Sequence, residues 1–366
     1  KPSGVWIMAY TTIDDPSAYF QTLLYTGNAT GRSLTNTGNS DLKPDWIWTK
    51  KRNEAQNHCV TDSTRGVANI LFPDASDAES ATQLVTEFRT NGFGINTNAL
   101  VNDNTDTYVA WQWKANGGTT TSVSASGSGI TDILASTHQA NTDAGFSIVS
   151  WTSVNSEAYV SHGLGAIPHV VLMKDRENAS ANWIMYHASV GSAHALLFNT
   201  DDAKDGSSFF RDANRASTGI PTSSIFKLGT QGHTGGHTND MIAYCFVPIQ
   251  GYSKFGTYTG NNSADGPFVY TGFKPAWLLI KNITSDGNSW VLLDNKRQGF
   301  NVENDFLFVN ADSAESADLS NHGFDFLSNG FKQRGTGQND DGDIFAYLAF
   351  AEQPFVTSTG IPATAR

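Results

Sequence analysis

Apolar residues fall in short blocks along this chain, some alternating with polar residues and some continuous, separated by Gly, Asn and Asp. That pattern predicts strands joined by turns, as in an antiparallel sandwich or jelly roll. Trp277-Leu278-Leu279-Ile280 reads as a strand buried on both faces. Trp290-Val291-Leu292-Leu293 reads as its partner across a turn holding Asp286-Gly287-Asn288. One helix candidate stands in each unit, Ser76 to Glu87 or its counterpart from Ala311, and it reads equally well as a loop. No apolar run approaches the roughly 20 residues of a membrane-spanning helix.

The blocks repeat. Tyr25-Thr26-Gly27-Asn28 returns as Tyr258-Thr259-Gly260-Asn261, with Trp151-Thr152-Ser153 as a weaker middle copy. A proline follows each after 17–19 residues, in Leu42-Lys43-Pro44-Asp45-Trp46, Ala166-Ile167-Pro168-His169-Val170 and Phe273-Lys274-Pro275-Ala276-Trp277. The apolar run after each proline ends in a basic residue, Lys50, Lys174 or Lys281. Asp62-Ser63-Thr64-Arg65 answers Asp294-Asn295-Lys296-Arg297, and Leu71-Phe72 answers Leu307-Phe308. Similar strands close the copies at 66, 75 and 71 residues from proline to closing Ala. So many anchors in one order establish an internal repeat of about 100 residues.

The expected organisation is a lead-in at 1–17, a first sandwich at 18–116, a second at 146–250, a third at 251–356 and a tail at 357–366. Residues 117–145, rich in Gly, Ser and Thr, are expected to form a linker or small added hairpin. Each unit is expected to be a separate sandwich. The chain starts at Lys1 without a signal-peptide pattern, which reads as a fragment or processed product.

Composition narrows the function classes. Only 16% of the 366 residues are charged, and the net charge is -12. An acidic chain without a Lys/Arg cluster argues against nucleic acid and anionic membrane surfaces. Cys59 and Cys245 lie far apart in unlike contexts and read as two unpaired, buried hydrophobes.

The run Tyr252-Ser253-Lys254-Phe255-Gly256-Thr257-Tyr258-Thr259-Gly260-Asn261 continues through Ala264-Asp265-Gly266-Pro267-Phe268-Val269-Tyr270 to Gly272-Phe273-Lys274-Pro275-Ala276-Trp277. It resembles a repeat found in tail-appendage proteins of marine bacteriophages. Phe350-Ala351-Glu352-Gln353-Pro354-Phe355 looks like that family's closing signature, and Thr12 to Gln21 like its opening. The resemblance implies a virion structural protein of lectin-like β-sandwich repeats. It brings no ligand or site residues with it.

Candidate chemistry is sparse. There is no phosphate loop, no His-Glu-x-x-His and no Gly-x-Ser-x-Gly elbow. Glu303 and Asp305 have the alternate spacing of a glycosidase carboxylate pair, but the other units carry no equivalent. Acidic turns precede the closing strands, Asn102-Asp103-Asn104-Thr105-Asp106 and Asn339-Asp340-Asp341-Gly342-Asp343. Asp103, Asp106, Asp340, Asp341 and Asp343 are candidate Ca²⁺ ligands, because clustered hard oxygens suit that ion. The competing reading is Asx turns that cap their own backbone. Asn102, Asn261, Asn282 and Asn339 are candidate ligand-binding amides beside them. His233 and His237, followed by Asp240, read as a surface loop. Trp46, Trp183, Trp277 and Trp290 read as core, whereas the alternation of Trp48, Trp111 and Trp113 leaves at least one partly exposed.

The sequence therefore predicts an all-β protein of three tandem antiparallel, lectin-like jelly-roll repeats, non-enzymatic, in a virion. Expected partners are itself as a homo-oligomer (a trimer), other tail proteins, and a host-surface glycan or protein receptor, with no nucleic acid and no membrane insertion. The alternatives are a polysaccharide depolymerase and a secreted bacterial adhesin or surface-layer module.

Overall fold

The computed structural model describes residues 9–127, 132–207, 209–210 and 221–362, so part of the Gly/Ser/Thr-rich segment and both extreme termini lie outside it. The described chain is almost entirely antiparallel β. The segment after Ser76 is not helical, since the backbone N–H of Glu79 donates to Arg176 O of the second unit instead. Short helices occur only at Ala99–Asn102 and Leu319–His322 among the described α-helical elements.

Three large sheets carry the repeat. The first orders its strands as Phe20–Thr26, Thr107–Trp113, Trp46–Lys51 and Cys59–Asp62. The second has Phe146–Thr152, Asp240–Phe246, Val170–Asp175 and Ile184–His187 in the corresponding order. The third has Ser253–Thr259, Ile344–Pro354, Phe273–Asn282 and Val291–Asp294. Strands Thr121–Val123 and Ser136–Asn141 from the Gly/Ser/Thr-rich segment extend the second sheet beyond Phe146–Thr152. A smaller sheet accompanies each unit: Arg32–Leu34, Gly92–Ile95 and Val85–Arg89; Ala158–Ser161 and Ile225–Leu228; Phe268–Tyr270, Gly330–Gln333 and Phe324–Leu327.

The units are not separate sandwiches. One face of each large sheet packs within its own unit, as Ile47, Val85 and Phe93 do in the first. The opposite faces of all three converge on one common core. There Trp46 stacks on Tyr244 with centroids 4.5 Å apart, and Trp113 meets Trp277 edge-on at 5.6 Å. Trp48, Trp111 and Trp113, one of which a lone sandwich would leave partly exposed, are at most 1% exposed. Strand positions of both parities are thus covered, which explains the all-apolar runs.

Two rings of polar contacts close this core, each unit reaching into the one before it. Lys50 Nζ donates to Asp312 O at 3.0 Å, Lys174 Nζ to Ser76 O at 3.0 Å and Lys281 Nζ to Asp201 O at 2.8 Å. These are the basic residues that end the three repeat strands. Burial lowers each ammonium to a pKa of about 8. One layer away, Trp183 Nε1 donates to Phe72 O at 2.8 Å and Trp290 Nε1 to Leu197 O at 3.0 Å. His58 holds the matching place in the first unit, 3.1 Å from Phe308 O. Trp48 donates to His58 Nδ1, so the imidazole proton sits on Nε2 and points at that carbonyl.

Candidate functional site

The acidic turns come first, because the sequence singles them out. Gly27 and Gly260 of the Tyr-Thr-Gly-Asn motif lie against them. A Cβ there would stand 1.9 Å from Asp103 O and 2.1 Å from Asp340 O, so the motif needs glycine. Asn102 is buried and saturated: it accepts from Asn28 N at 3.0 Å and donates to Thr30 O at 2.8 Å and Asn96 O at 2.7 Å. Asn339 accepts from Asn261 N at 2.9 Å and donates to Asn261 Oδ1 and Ser263 O. Asn261 Oδ1 also accepts from Ser263 N. Asn282 accepts from Thr284 N and Ser285 N in an Asx turn.

The carboxylates are similarly engaged. Lys51 Nζ lies 2.5 Å from Asp106 and 3.6 Å from Asp103, and the Lys51 hydrogen bond holds the Asp106 carboxyl below its usual range. Asp175 replaces Lys51 in the second unit and accepts from Asn239 at 3.0 Å. Asn282 replaces it in the third and donates to Asp343 at 2.7 Å. Both partners differ in the second unit, whereas the third changes only the strand residue and keeps the aspartate. Asp340 and Asp341 are exposed. Among the described residues, no group of three or more His, Cys, Asp or Glu side chains is placed to hold a metal ion. Asn102, Asn282, Asn339, Asp106 and Asp343 are thus engaged within the turns and the neighbouring strand ends. His237 is likewise drawn inward, its Nε2 3.1 Å from Asp175, and His233 Nδ1 accepts from Asn182 N.

The cavity lies elsewhere, where the third unit meets the first. Asp45, His169 and Ala276 follow the three repeat prolines. Asp45 accepts from Ala115 N and Gly117 N, both at 2.8 Å, and from Ser63 Oγ at 2.7 Å. Gln139, on the added strand of the second unit, then donates to Ser63 at 2.8 Å and closes that seam. In the third unit Ala276 and Asn295 stand where Asp45 and Ser63 do, and residues 37–39 of the first unit lie opposite in place of an added strand. A cavity of about 180 Å³ opens there between Gln21, Asn39, Ala276, Asn295 and Gln353.

A second cavity, of about 370 Å³, adjoins it through the shared residues Asn295 and Glu352 and is lined further by Lys274, Phe300, Glu303 and Phe326. A model described as a domain of unknown function (DUF7483) matches residues 15–354, which takes in all three units and both cavities. The chain belongs to that family. No curated protein and no solved structure matches it.

Glu303 is the distinctive group in the larger cavity. A pair of backbone bonds to Phe324, 2.7 and 2.8 Å, pins it. The residue is only 3% exposed, and its carboxyl, which no hydrogen bond from the described residues reaches, faces the cavity. Burial, reinforced by Asp294, raises that carboxyl to a pKa of about 8 against the opposing pull of Arg297 and Lys274. Asp305, its sequence partner for glycosidase chemistry, does not line either cavity. The second carboxylate there is Glu352, paired with Lys274 at 2.5 Å. Asn295 Oδ1 is buried without a partner, whereas both ends of the Asn301 amide are bound to Phe326 backbone. Phe300 stands 67% exposed at the cavity. The site offers one neutral acid, one open amide carbonyl, an ion pair and an aromatic ring. Sequence reasoning noticed Glu303 but missed Asn295 and Glu352. The Ala276 and Asn295 departures from the first repeat were the available signal.

Proposed function

We propose that this chain is a virion structural protein, part of a tail appendage or fibre, that touches glycan on the host surface from the outside of the particle. The resemblance of its third repeat and its ends to such appendages supports the reading. So does the correspondence of the three large sheets, which we take as diverged copies of one lectin-like sandwich. The observation that carries the attachment role is the pair of adjoining cavities, one at the third-first seam and one within the third unit, rich in amides and carboxyls and edged by an exposed aromatic ring. Concave sites with a few convergent polar groups are where small ligands bind, and aromatic faces suit sugar rings. Assembly with further copies, a trimer in particular, would multiply weak contacts into avidity.

Two experiments test this. Antibody against the chain should decorate tails in electron micrographs of virions from the source phage, and purified chain should adsorb to host cells and be displaced by their extracted polysaccharide. Label confined to other structures, or adsorption indifferent to polysaccharide, overturns the reading. A second reading, a polysaccharide depolymerase, is favoured by Glu303, a protonated acid at neutral pH within a cavity. Sustained release of reducing sugar would decide for it.

A further inference from the structure

We propose that the cavity bounded by Lys274, Asn295, Phe300, Glu303 and Glu352 binds one unit of a neutral, hydroxyl-bearing saccharide, with Glu303 and Asn295 as its two internal anchors. This rests on the attachment reading for its biological purpose, but not for its chemistry.

The argument starts from unmet hydrogen bonding. Buried polar groups in folded proteins nearly always find partners, and a carboxyl that is taken from water without one is costly. Glu303 is 3% exposed and fixed at its backbone, and its carboxyl, without a hydrogen-bond partner among the described residues, faces an open cavity of about 370 Å³. That volume falls in the range of about 300–1,000 Å³ usual for small-ligand sites. Asn295 Oδ1, also buried and unpartnered, lines the same space. Two unpaired groups converging on one cavity mark a place prepared for a polar guest.

Charge selects the class of guest. The ionisable neighbours cancel in pairs: Lys274 lies 2.5 Å from Glu352, and Arg297 lies 2.6 Å from Asp294. Burial raises the Asp305 carboxyl as well as that of Glu303. A protonated Glu303 both donates and accepts, and Asn295 Oδ1 accepts, which matches adjacent hydroxyls. An anionic sugar would bring its charge against carboxyls, and Lys274, the one cation among the residues lining this cavity, is already paired, Lys296 lining the adjoining cavity instead. The exposed Phe300 ring supplies an apolar face for the C–H side of a pyranose.

The test titrates the full chain by calorimetry with maltotriose, N-acetylglucosamine trimer and, as the charged comparator, galacturonate trimer. At least one neutral trimer should bind at pH 7 and at least about tenfold more tightly than galacturonate, with binding weakening above about pH 8 as Glu303 ionises. Glu303→Ala and Asn295→Ala should each weaken it about tenfold, the loss expected for a hydrogen bond to a buried group. Glu303→Gln, which keeps shape and neutrality, should stay within about threefold of the parent. Thermal unfolding of every variant separates lost binding from lost fold, and Asn295→Ala and Phe300→Ala carry the test if Glu303→Ala does not fold. No neutral binding up to about 10 mM, equal affinity for galacturonate, or unchanged affinity in folded variants lacking the anchors overturns the inference. Cell adsorption by a chain that binds no neutral trimer in calorimetry refutes this site and leaves the attachment reading standing. Saccharide binding without cell adsorption does the reverse.

Discussion

The indole N–H of Trp111 donates to Asp294 Oδ2, 3.0 Å away across the seam between the first and third units. Tyr244 makes the same reach from the second unit to Asp62 of the first, at 2.8 Å. Behind each carboxylate stands a buried network: Arg65 binds Asp62 and Glu79, and Arg297 binds Asp294 and Glu315. A second arginine from the neighbouring unit, Arg176 or Arg52, grips the same glutamate. At the seam of the second and third units every member differs. His187, Val190, Lys204 and Ile283 occupy the corresponding places, and Leu348 stands where Trp111 and Tyr244 do. His187 Nε2 instead approaches Tyr347 O at 3.4 Å.

Whole-network replacement should therefore be tolerated where single changes are not. Arg297→Met leaves Asp294 and Glu315 short of a buried partner and should cost about 3–5 kcal/mol in urea unfolding. The fourfold variant Arg52→Ile, Asp294→His, Arg297→Val, Glu315→Lys imports the chemistry of the second-third seam and should recover most of that loss. A fourfold variant weaker than the single one would show that the network is not an interchangeable unit.

Glu303→Gln should stabilise the protein at pH 7 by on the order of 2 kcal/mol. The folded carboxyl titrates at about 8, above its unfolded value. Its proton therefore stays on in the fold while the unfolded chain loses it, and stability drains away as pH rises toward 8. Glutamine has no such loss. The gain should vanish near pH 4, which chemical unfolding at several pH values would reveal.

Lys281→Met should be nearly neutral at pH 7, because removing a buried ammonium offsets leaving Asp201 O and Asn288 O without their donor. The folded lysine titrates at about 8, below its unfolded value. Between those two values the unfolded chain binds more protons, so wild type should gain on the variant by up to about 1.4 kcal/mol per pH unit above pH 8. A pH-independent difference would place the ammonium in contact with water.

Chelator should leave the melting temperature unchanged, since Lys51 and Asn282 already engage Asp106 and Asp343. A fall of several degrees in EDTA, restored by Ca²⁺, would return the acidic turns to the calcium reading.

Reductant should also leave it unchanged. Cys59 and Cys245 are free and buried, and burial pushes both thiols up. Iodoacetamide should label them only after unfolding, so rapid labelling of native protein would expose an opening in the strands that hold them.

The sequence alone determined the strand content, the repeat and its anchor residues, because strand periodicity, turn glycines and recurring prolines are local properties. Lys50, Lys174 and Lys281 were visible as the ends of three matched runs. What they bind across the seams was not, since the acceptors there are backbone carbonyls of another unit, and a carbonyl leaves no trace in residue identity. The same holds for Trp48, Trp111 and Trp113. Their alternation implies a solvent-facing side in an isolated sandwich, and only the convergence of three sheets covers it. The cavity too was decided in three dimensions. Ala276 in place of Asp45 reads as a minor substitution until the added strand bearing Gln139 is seen to fill the first-second seam, leaving residues 37–39 opposite Asn295. Packing between distant segments is a property of pairs, and one copy of one chain records only its members.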